Sequence, residues 1–166
     1  MADKVKELLE EYKSDLEYEL EIDEVITSPI EKMLYIAIKR AQYLSLIGDP
    51  LMNYQLDINP QPEIKIDKKS YRPDFLLTMS QAVKIENIQY VRSYECYIEC
   101  DGHNYHERTK AQAKNDRTKD RDFMKEGLQL IRYTGSEIYN DAFSCAMEIE
   151  NFMFKNLEQQ SLRKLY

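Results

Sequence analysis

The chain of 166 residues lacks several features that mark special classes of protein. It has no tryptophan, only four glycines and an odd number of cysteines, three, which argues against a disulfide framework. Its longest apolar run, MLYIAI, is too short to cross a bilayer. No basic segment followed by an apolar one begins the sequence, so we expect neither a signal peptide nor an anchor. These absences predict a soluble, cytoplasmic protein with no membrane partner.

The cysteines also have little to offer as metal ligands. Cys96 and Cys100 lie in a segment with the pattern of a strand, where the alternation of side chains places both on the same face as Ile98. Two buried small hydrophobic residues are the first interpretation, and a zinc site is the second. No further cysteine pair or suitably spaced histidine pair completes such a site.

Charge is distributed unevenly along the chain. The net charge is −7, and residues 1–24 alone contribute −7, with ten acidic residues against three lysines. The remainder is balanced and contains a local basic cluster that could contact phosphates: Arg108, Lys110, Lys114, Arg117, Lys119 and Arg121. The alternative is a solvated helix face, because Asp116, Asp120 and Asp122 dilute the cluster. The overall charge therefore does not exclude a nucleic-acid partner.

Hydrophobic periodicity predicts nine elements in the order α-α-β-β-β-β-α-β-α. Residues 3–20 form an amphipathic helix, so we divide the chain into an appended acidic segment, 1–24, and one domain, 25–166. That first helix could bind a partner or pack on its own domain. The second helix begins at Ser28-Pro29 with Glu31 in a capping box. The last helix is predicted to be capped by Ser136.

The strand segments predict an α/β fold with a mixed sheet. NYQLDI, EIKI and YRPDFLLTM precede a long run, residues 89–101, and a polar helix over 107–126 then leads to the buried strand LQLIRYT. Antiparallel strands followed by a strand–helix–strand crossover form a mixed sheet flanked by helices.

Three acidic residues interrupt the apolar strand text. Asp74 stands at the start of a strand, and Glu99 and Asp101 end another, two residues apart on one face. Burying a carboxylate without a partner costs several kcal/mol, roughly 2–7 even for a neutral polar group. A cation or a catalytic task often offsets that cost. Taken singly, each acid also has a plain interpretation, as a turn residue, a solvated edge or, for Glu31, a helix cap.

The segments RPDF and IECDG, with the text YIECDGHNYHERTKAQAKNDRTKDRDFMKEGLQLIRYTGSEI, carry a resemblance. Over residues 28–141 the chain resembles the PD-(D/E)XK nuclease superfamily. It is most similar to the branch that includes the very-short-patch mismatch repair endonuclease. The resemblance implies a restriction-endonuclease-like core, α-β-β-β-α-β, with extra helices at both ends.

The same resemblance implies the site residues. Asp74 and Glu99 would bind Mg²⁺ or Mn²⁺, assisted by the backbone carbonyl of Cys100. The implied catalytic residues are Glu31, Asp74, Glu99, Asp101 and His106. His106 would orient or protonate a water or a leaving oxygen.

One position departs from the superfamily pattern, because Asp101 stands where its lysine is expected. Lys110, Gln112 or Lys114 on the following helix could face the site instead, so the general base stays open. Arg132 could pair with a carboxylate or contact phosphate.

These features favour a metal-dependent endonuclease that cleaves DNA rather than RNA. The alternative is a catalytically degenerate subunit with a nuclease fold that binds nucleic acid or a protein partner. A homodimer or a protein partner is compatible with either function.

Overall fold

The computed structural model describes Lys13 and residues 25–48, 54–102 and 110–164. The amphipathic helix predicted over residues 3–20 therefore lies outside the described part, except for Lys13. The helices are α1 (Pro29–Gly48), α2 (Lys110–Lys125) and α3 (Gly135–Leu157). The strands are β1 (Gln55–Pro60), β2 (Ile64–Ile66), β3 (Lys69–Tyr71), β4 (Phe75–Ile85), β5 (Ile88–Asp101), β6 (Leu130–Thr134) and β7 (Arg163–Lys164).

Local sequence signals account for the ends of the helices. α1 begins at Pro29, as predicted, and the backbone nitrogen of Lys32 donates to the carbonyl of Ser28 at 3.0 Å. Gly127 follows α2 with φ of +69°, a conformation that costs glycine least. The prediction of Ser136 as the cap of the last helix is wrong. Thr134 caps α3 instead, because its hydroxyl accepts the backbone N–H of Glu137 in a complete capping box.

The main sheet is mixed, as the sequence predicts. Its strands follow the order β1-β4-β5-β6, with the short β7 also paired to β5. β5 and β6 are parallel and joined through α2, whereas the β1–β4 and β4–β5 pairs are antiparallel. This arrangement confirms a mixed α/β architecture with a strand–helix–strand crossover.

A separate hairpin divides one of the predicted strands. The segment YRPDFLLTM is not continuous, because Tyr71 ends β3, which pairs with β2, and Phe75 begins β4. Buried Pro73 lies between the two strands and has no N–H to give to a ladder. Asp74 therefore stands immediately before β4, near the strand start where it was predicted.

Both faces of the sheet are covered. Phe75, Leu77 and Met79 of β4 are fully buried in the large core that α1 and α3 complete. On the opposite face, a smaller cluster forms around Phe123 of α2 and includes Tyr97 of β5. Alternation along β4 and β5 thus assigns one face to the main core and the other to α2 and the hairpin.

The cysteines and the membrane prediction can be compared with this architecture. The three cysteines are free, and Cys96 is fully buried beside Ile98, as predicted, whereas Cys100 is only partly buried. None of the helices in the described part of the chain combines the length and apolar character that crossing a bilayer requires.

Candidate active site

Four polar residues lie on or next to neighbouring strands at one end of the sheet. Glu99 of β5 is the register partner of Arg132 of β6. The backbone nitrogen of Asp74 donates to the carbonyl of Ile98 at 3.1 Å, so Asp74 lies beside the part of β5 that carries Glu99. One step beyond the β1–β4 register, Gln61 lies opposite Asp74, and its backbone nitrogen donates to the Asp74 carbonyl at 2.8 Å. The strand ends therefore collect Gln61, Asp74, Glu99 and Arg132 in this order.

The carboxylate of Asp74 is held by a backbone donor. The backbone nitrogen of Cys100 donates to Oδ2 at 2.7 Å, and Nε2 of Gln61 donates to Oδ1 at 3.3 Å. Burial raises the pKa of Asp74, although the Cys100 amide, the Lys119 ammonium and Gln61 oppose the increase. Asp74 is therefore a desolvated carboxylate, and the neighbouring donors and Lys119 offset only part of the cost of its burial.

Glu31, from the first turn of α1, belongs to the same cluster. Nε2 of Gln61 donates to its Oε2 at 3.2 Å, so one amide joins the two carboxylates Glu31 and Asp74. Burial raises the pKa of Glu31, and the charge of Asp74 raises it further, whereas hydrogen bonds from Gln61 and Ser28 lower it. The link to Ser28 agrees with a capping role, so Glu31 serves the helix terminus and also faces the acidic site.

Glu99 makes two ion pairs with cations from neighbouring elements. Lys119 of α2 contacts Oε1, and Arg132 of β6 contacts Oε2. The Glu99 side chain is only 13% exposed, so these contacts compensate a carboxylate with little access to water. Burial lowers the pKa of Lys119 to about 8, and the nearby Arg132 charge acts in the same direction, against Asp74 and Asp120. An amine with this pKa exchanges protons near neutral pH.

Arg132 connects the other acids of the site. Its Nη1 lies 3.5 Å from Oδ1 of Asp101. Its Nε donates to Oδ1 of Asp120 at 3.0 Å, while the buried Nη2 lies 2.9 Å from that oxygen without making a hydrogen bond to the described residues. Of the two roles considered from sequence, the structure supports internal pairing of Arg132 with carboxylates. Asp101 is thereby brought to the same cluster as Glu99.

The lysine of this site is Lys119, which the sequence interpretation did not select. The candidates Lys110 and Lys114 instead line an exposed groove on α2, and Gln112 is exposed. Helical spacing could have identified Lys119, because it precedes the buried Phe123 by four residues and shares its face. A basic residue on the buried face of a polar helix is a usable signal.

His103 and His106 lie outside the described residues, so the predicted catalytic role of His106 stays a prediction. Glu31, Asp74, Glu99 and Asp101 lie together, and Gln61 and Lys119 join them.

The site offers oxygen ligands of the kind that Mg²⁺ prefers. The Asp74 carboxylate lies against the backbone of Cys100, which stands between Glu99 and Asp101 in β5. Among the residues that the structure describes, no three His, Cys, Asp or Glu side chains form a metal-binding group. The ligand set implied by the resemblance consists of two carboxylates and one backbone carbonyl. Asp74, Glu99 and the Cys100 carbonyl are oxygen ligands of these kinds. Lys119 and Arg132 would share the Glu99 carboxylate with any ion.

Comparisons with family models, with curated proteins and with solved structures find no match to this chain.

Proposed function

We propose that this protein is a metal-dependent endonuclease that hydrolyses phosphodiester bonds of DNA, built on a restriction-endonuclease-like core. The proposal rests first on one observation. A largely buried lysine, Lys119, contacts Glu99 on the strand that hydrogen-bonds to the desolvated Asp74. The resemblance in sequence calls for two carboxylates and a lysine. Asp101 stands at the position of that lysine in the sequence, and Lys119 of α2 would take its place in the site.

The order of elements gives further support. α1, the antiparallel strands β4 and β5, the crossover helix α2 and the parallel strand β6 follow one another around the site. With β1 included, these elements have the α-β-β-β-α-β order of the proposed core. Each contributes a polar side chain to the strand ends: Glu31, Gln61, Asp74, Glu99, Lys119 and Arg132.

Each residue can be given a role in hydrolysis. Asp74 and Glu99 would hold Mg²⁺ or Mn²⁺, together with the Cys100 carbonyl, and the bound ion lowers the pKa of water and stabilises charge in the transition state. Lys119, whose pKa burial lowers to about 8, would donate a hydrogen bond or a proton to a phosphate oxygen from its place beside Glu99. Gln61 orients Asp74 and Glu31 through its amide. Arg132 holds Glu99 in position through the contact with its Oε2.

A second candidate function has an observation of its own. Both oxygens of Glu99 already contact cations, so its charge is compensated by the protein itself. A retired active site would retain such a network for stability. The second candidate is therefore a catalytically degenerate subunit that binds nucleic acid or a protein partner on the same fold.

Cleavage assays with matched variants separate the two candidates. Purified protein is incubated with plasmid, single-stranded DNA and RNA in Mg²⁺ or Mn²⁺, beside Asp74→Asn and Glu99→Gln. We expect wild-type cleavage of DNA that EDTA and both variants abolish. The matched controls are Asp57→Asn on β1 and Glu95→Gln on β5, because both original residues are exposed and lie outside the site.

The controls are expected to cleave at the wild-type rate. Cleavage that survives in Asp74→Asn and Glu99→Gln would show a contaminating nuclease and sink the endonuclease proposal. Absence of cleavage by folded wild-type protein on every substrate and with both metals would favour the degenerate subunit.

A further inference from the structure

A basic groove runs along the exposed side of α2, and the function proposed above does not use it. Its volume is about 450 Å³, and it is lined by Lys110, Ala113, Lys114, Arg117 and Arg121. The four basic residues are exposed, and no acidic residue lines the groove among those that the structure describes. Spacings of four, three and four residues place the cations in one stripe of the helix. The stripe extends roughly 16 Å at 1.5 Å per residue.

The structure explains why this stripe is basic although the helix also carries acids. Asp120 turns to Arg132, with 3.0 Å between Oδ1 and Nε. Asp122 is engaged by the hairpin, since Nζ of Lys69 lies 2.6 Å and the hydroxyl of Tyr71 2.5 Å from its Oδ2. Asp116 does not line the groove. Two of the three acids that dilute the cluster in sequence are thus directed elsewhere in the fold, and the third does not line the groove.

The direction of α2 brings this groove to the side of the site. Lys119 contacts Glu99, whereas Phe123 packs edge-on against Tyr97 with 5.3 Å between ring centroids, so α2 runs antiparallel to β5. Lys110 precedes Lys119 by nine residues, roughly 13 Å of helix. Glu99 is only two residues, about 7 Å, from the end of β5. The first turns of α2 therefore extend past the strand ends.

The groove and Lys119 lie on opposite sides of this helix. A turn of 100° per residue separates Arg117 and Lys119 by about 200°. A ligand in the groove thus lies about one helix diameter, roughly 10 Å, from Glu99. This separation suits the backbone flanking a reacting phosphate rather than that phosphate itself.

We propose that the groove formed by Lys110, Lys114, Arg117 and Arg121 binds the phosphate backbone of double-stranded DNA beside the candidate active site. A row of exposed cations complements the regular phosphates of a duplex, and such contacts carry affinity without reading sequence. None of the described residues that line the groove is aromatic, whereas single-strand sites stack bases on aromatic rings. The inference takes its ligand from the proposed function, but binding can be tested without cleavage.

The test measures binding of a short DNA duplex to the full-length protein in EDTA, by fluorescence anisotropy, between about 50 and 200 mM salt. Lys114→Gln/Arg117→Gln is compared with the wild type. We expect weaker binding, and a slope of log Kd against log salt concentration reduced by about 1.8, because each lost phosphate contact removes about 0.9. A single strand of the same length is expected to bind less tightly than the duplex.

The matched control is Lys84→Gln/Lys155→Gln, which removes two exposed lysines from other surfaces and makes the same change in net charge. An unchanged slope in the groove variant, or an equal reduction in the control, overturns the proposal. Tighter binding of the single strand, or no duplex binding by the wild type, also overturns it. Groove-dependent duplex binding without cleavage in Mg²⁺ or Mn²⁺ would contradict the endonuclease proposal and leave the groove intact.

Discussion

The two faces of the central sheet bury acidic side chains in different ways. On the face covered by α1 and α3, Glu150 is 6% exposed and accepts hydrogen bonds from the hydroxyls of Ser45 and Tyr54. On the face covered by α2, Glu99 is 13% exposed and contacts the cations Lys119 and Arg132.

The neutral hydroxyl donors around Glu150 satisfy its hydrogen-bonding capacity without adding a second charge to the core, which suits a carboxylate whose only role is structural. Cations beside a second carboxylate, Asp74, form a site in which protons and charged ligands can be exchanged. Under the proposed function, the first face would serve cohesion and the second would serve chemistry. Four measurements test this distinction, beginning with the largest expected effect.

Two adjacent leucines on β4 allow the apolar packing of the two faces to be compared. Leu77 is fully buried in the main core, whereas Leu76 is partly buried in the smaller cluster around Phe123. Leu77→Ala is expected to reduce the free energy of unfolding by about 2–5 kcal/mol, because it leaves a cavity among rigid neighbours. Leu76→Ala is expected to cost about 1 kcal/mol. Equal costs in urea denaturation would mean that both faces contribute alike to stability.

Lys119→Gln tests the charged face. If Lys119 takes part in proton transfer or holds a phosphate oxygen, the cleavage rate should fall by about 10²–10³-fold, or roughly 2.7–4 kcal/mol of transition-state stabilisation. The melting temperature should change little, since Arg132 still contacts Glu99. Lys125→Gln, an exposed lysine of the same helix, is the control. A variant with full activity and a large loss of stability would make Lys119 structural.

Tyr54→Phe tests the buried carboxylate of the core face. The hydroxyl of Tyr54 donates to Glu150, and removing it should cost about 1.5–3 kcal/mol, as for hydrogen bonds to charged groups. Tyr94→Phe is the control, because its ring packs against Phe152 and its hydroxyl makes no hydrogen bond among the described residues. Chemical denaturation of both variants measures the difference. Equal losses would mean that the Tyr54 hydroxyl contributes nothing specific to Glu150.

The smallest effect is expected at the start of α3. Hydrogen bonds from the backbone and hydroxyl of Thr134 lower the pKa of Glu137 below its ordinary 4.5. The stabilisation is therefore fully present above pH 4.5 and is lost as the pH falls through the lower, folded-state pKa. Because Glu137 is exposed, the contribution should be less than about 1 kcal/mol. The difference in unfolding free energy between the wild type and Glu137→Gln should shrink on acidification, and a constant difference would contradict this.

The elements and much of the site could be predicted from sequence for local reasons. Ser28-Pro29 starts α1, Gly127 follows α2, and the alternation in residues 89–101 marks β5. Asp74, Glu99 and Asp101 stood out because acids interrupt apolar strand text. Their proximity follows from antiparallel pairing of neighbouring strands, which is a short-range consequence of a hairpin.

Other features depended on packing that no local pattern reports. Thr134 rather than Ser136 caps α3, since both can serve and the parallel pairing of β6 determines where the strand stops. Gln61 joins the site because β1 pairs with β4 across the β2–β3 hairpin.

The sequence by itself determined the alternation of the strands, the helix boundaries set by proline and glycine, and the chemical types available at the site. Only the tertiary structure decided which basic residue of α2 meets Glu99 and which ones remain in the groove. The reason is geometric, because spacing from Phe123 marks the face of α2 that packs, whereas the residue that this face meets on the sheet depends on how the helix docks. Docking of Phe123 against Tyr97 fixed the rotation of α2, directed Lys119 inward and left Lys114 and Arg117 exposed.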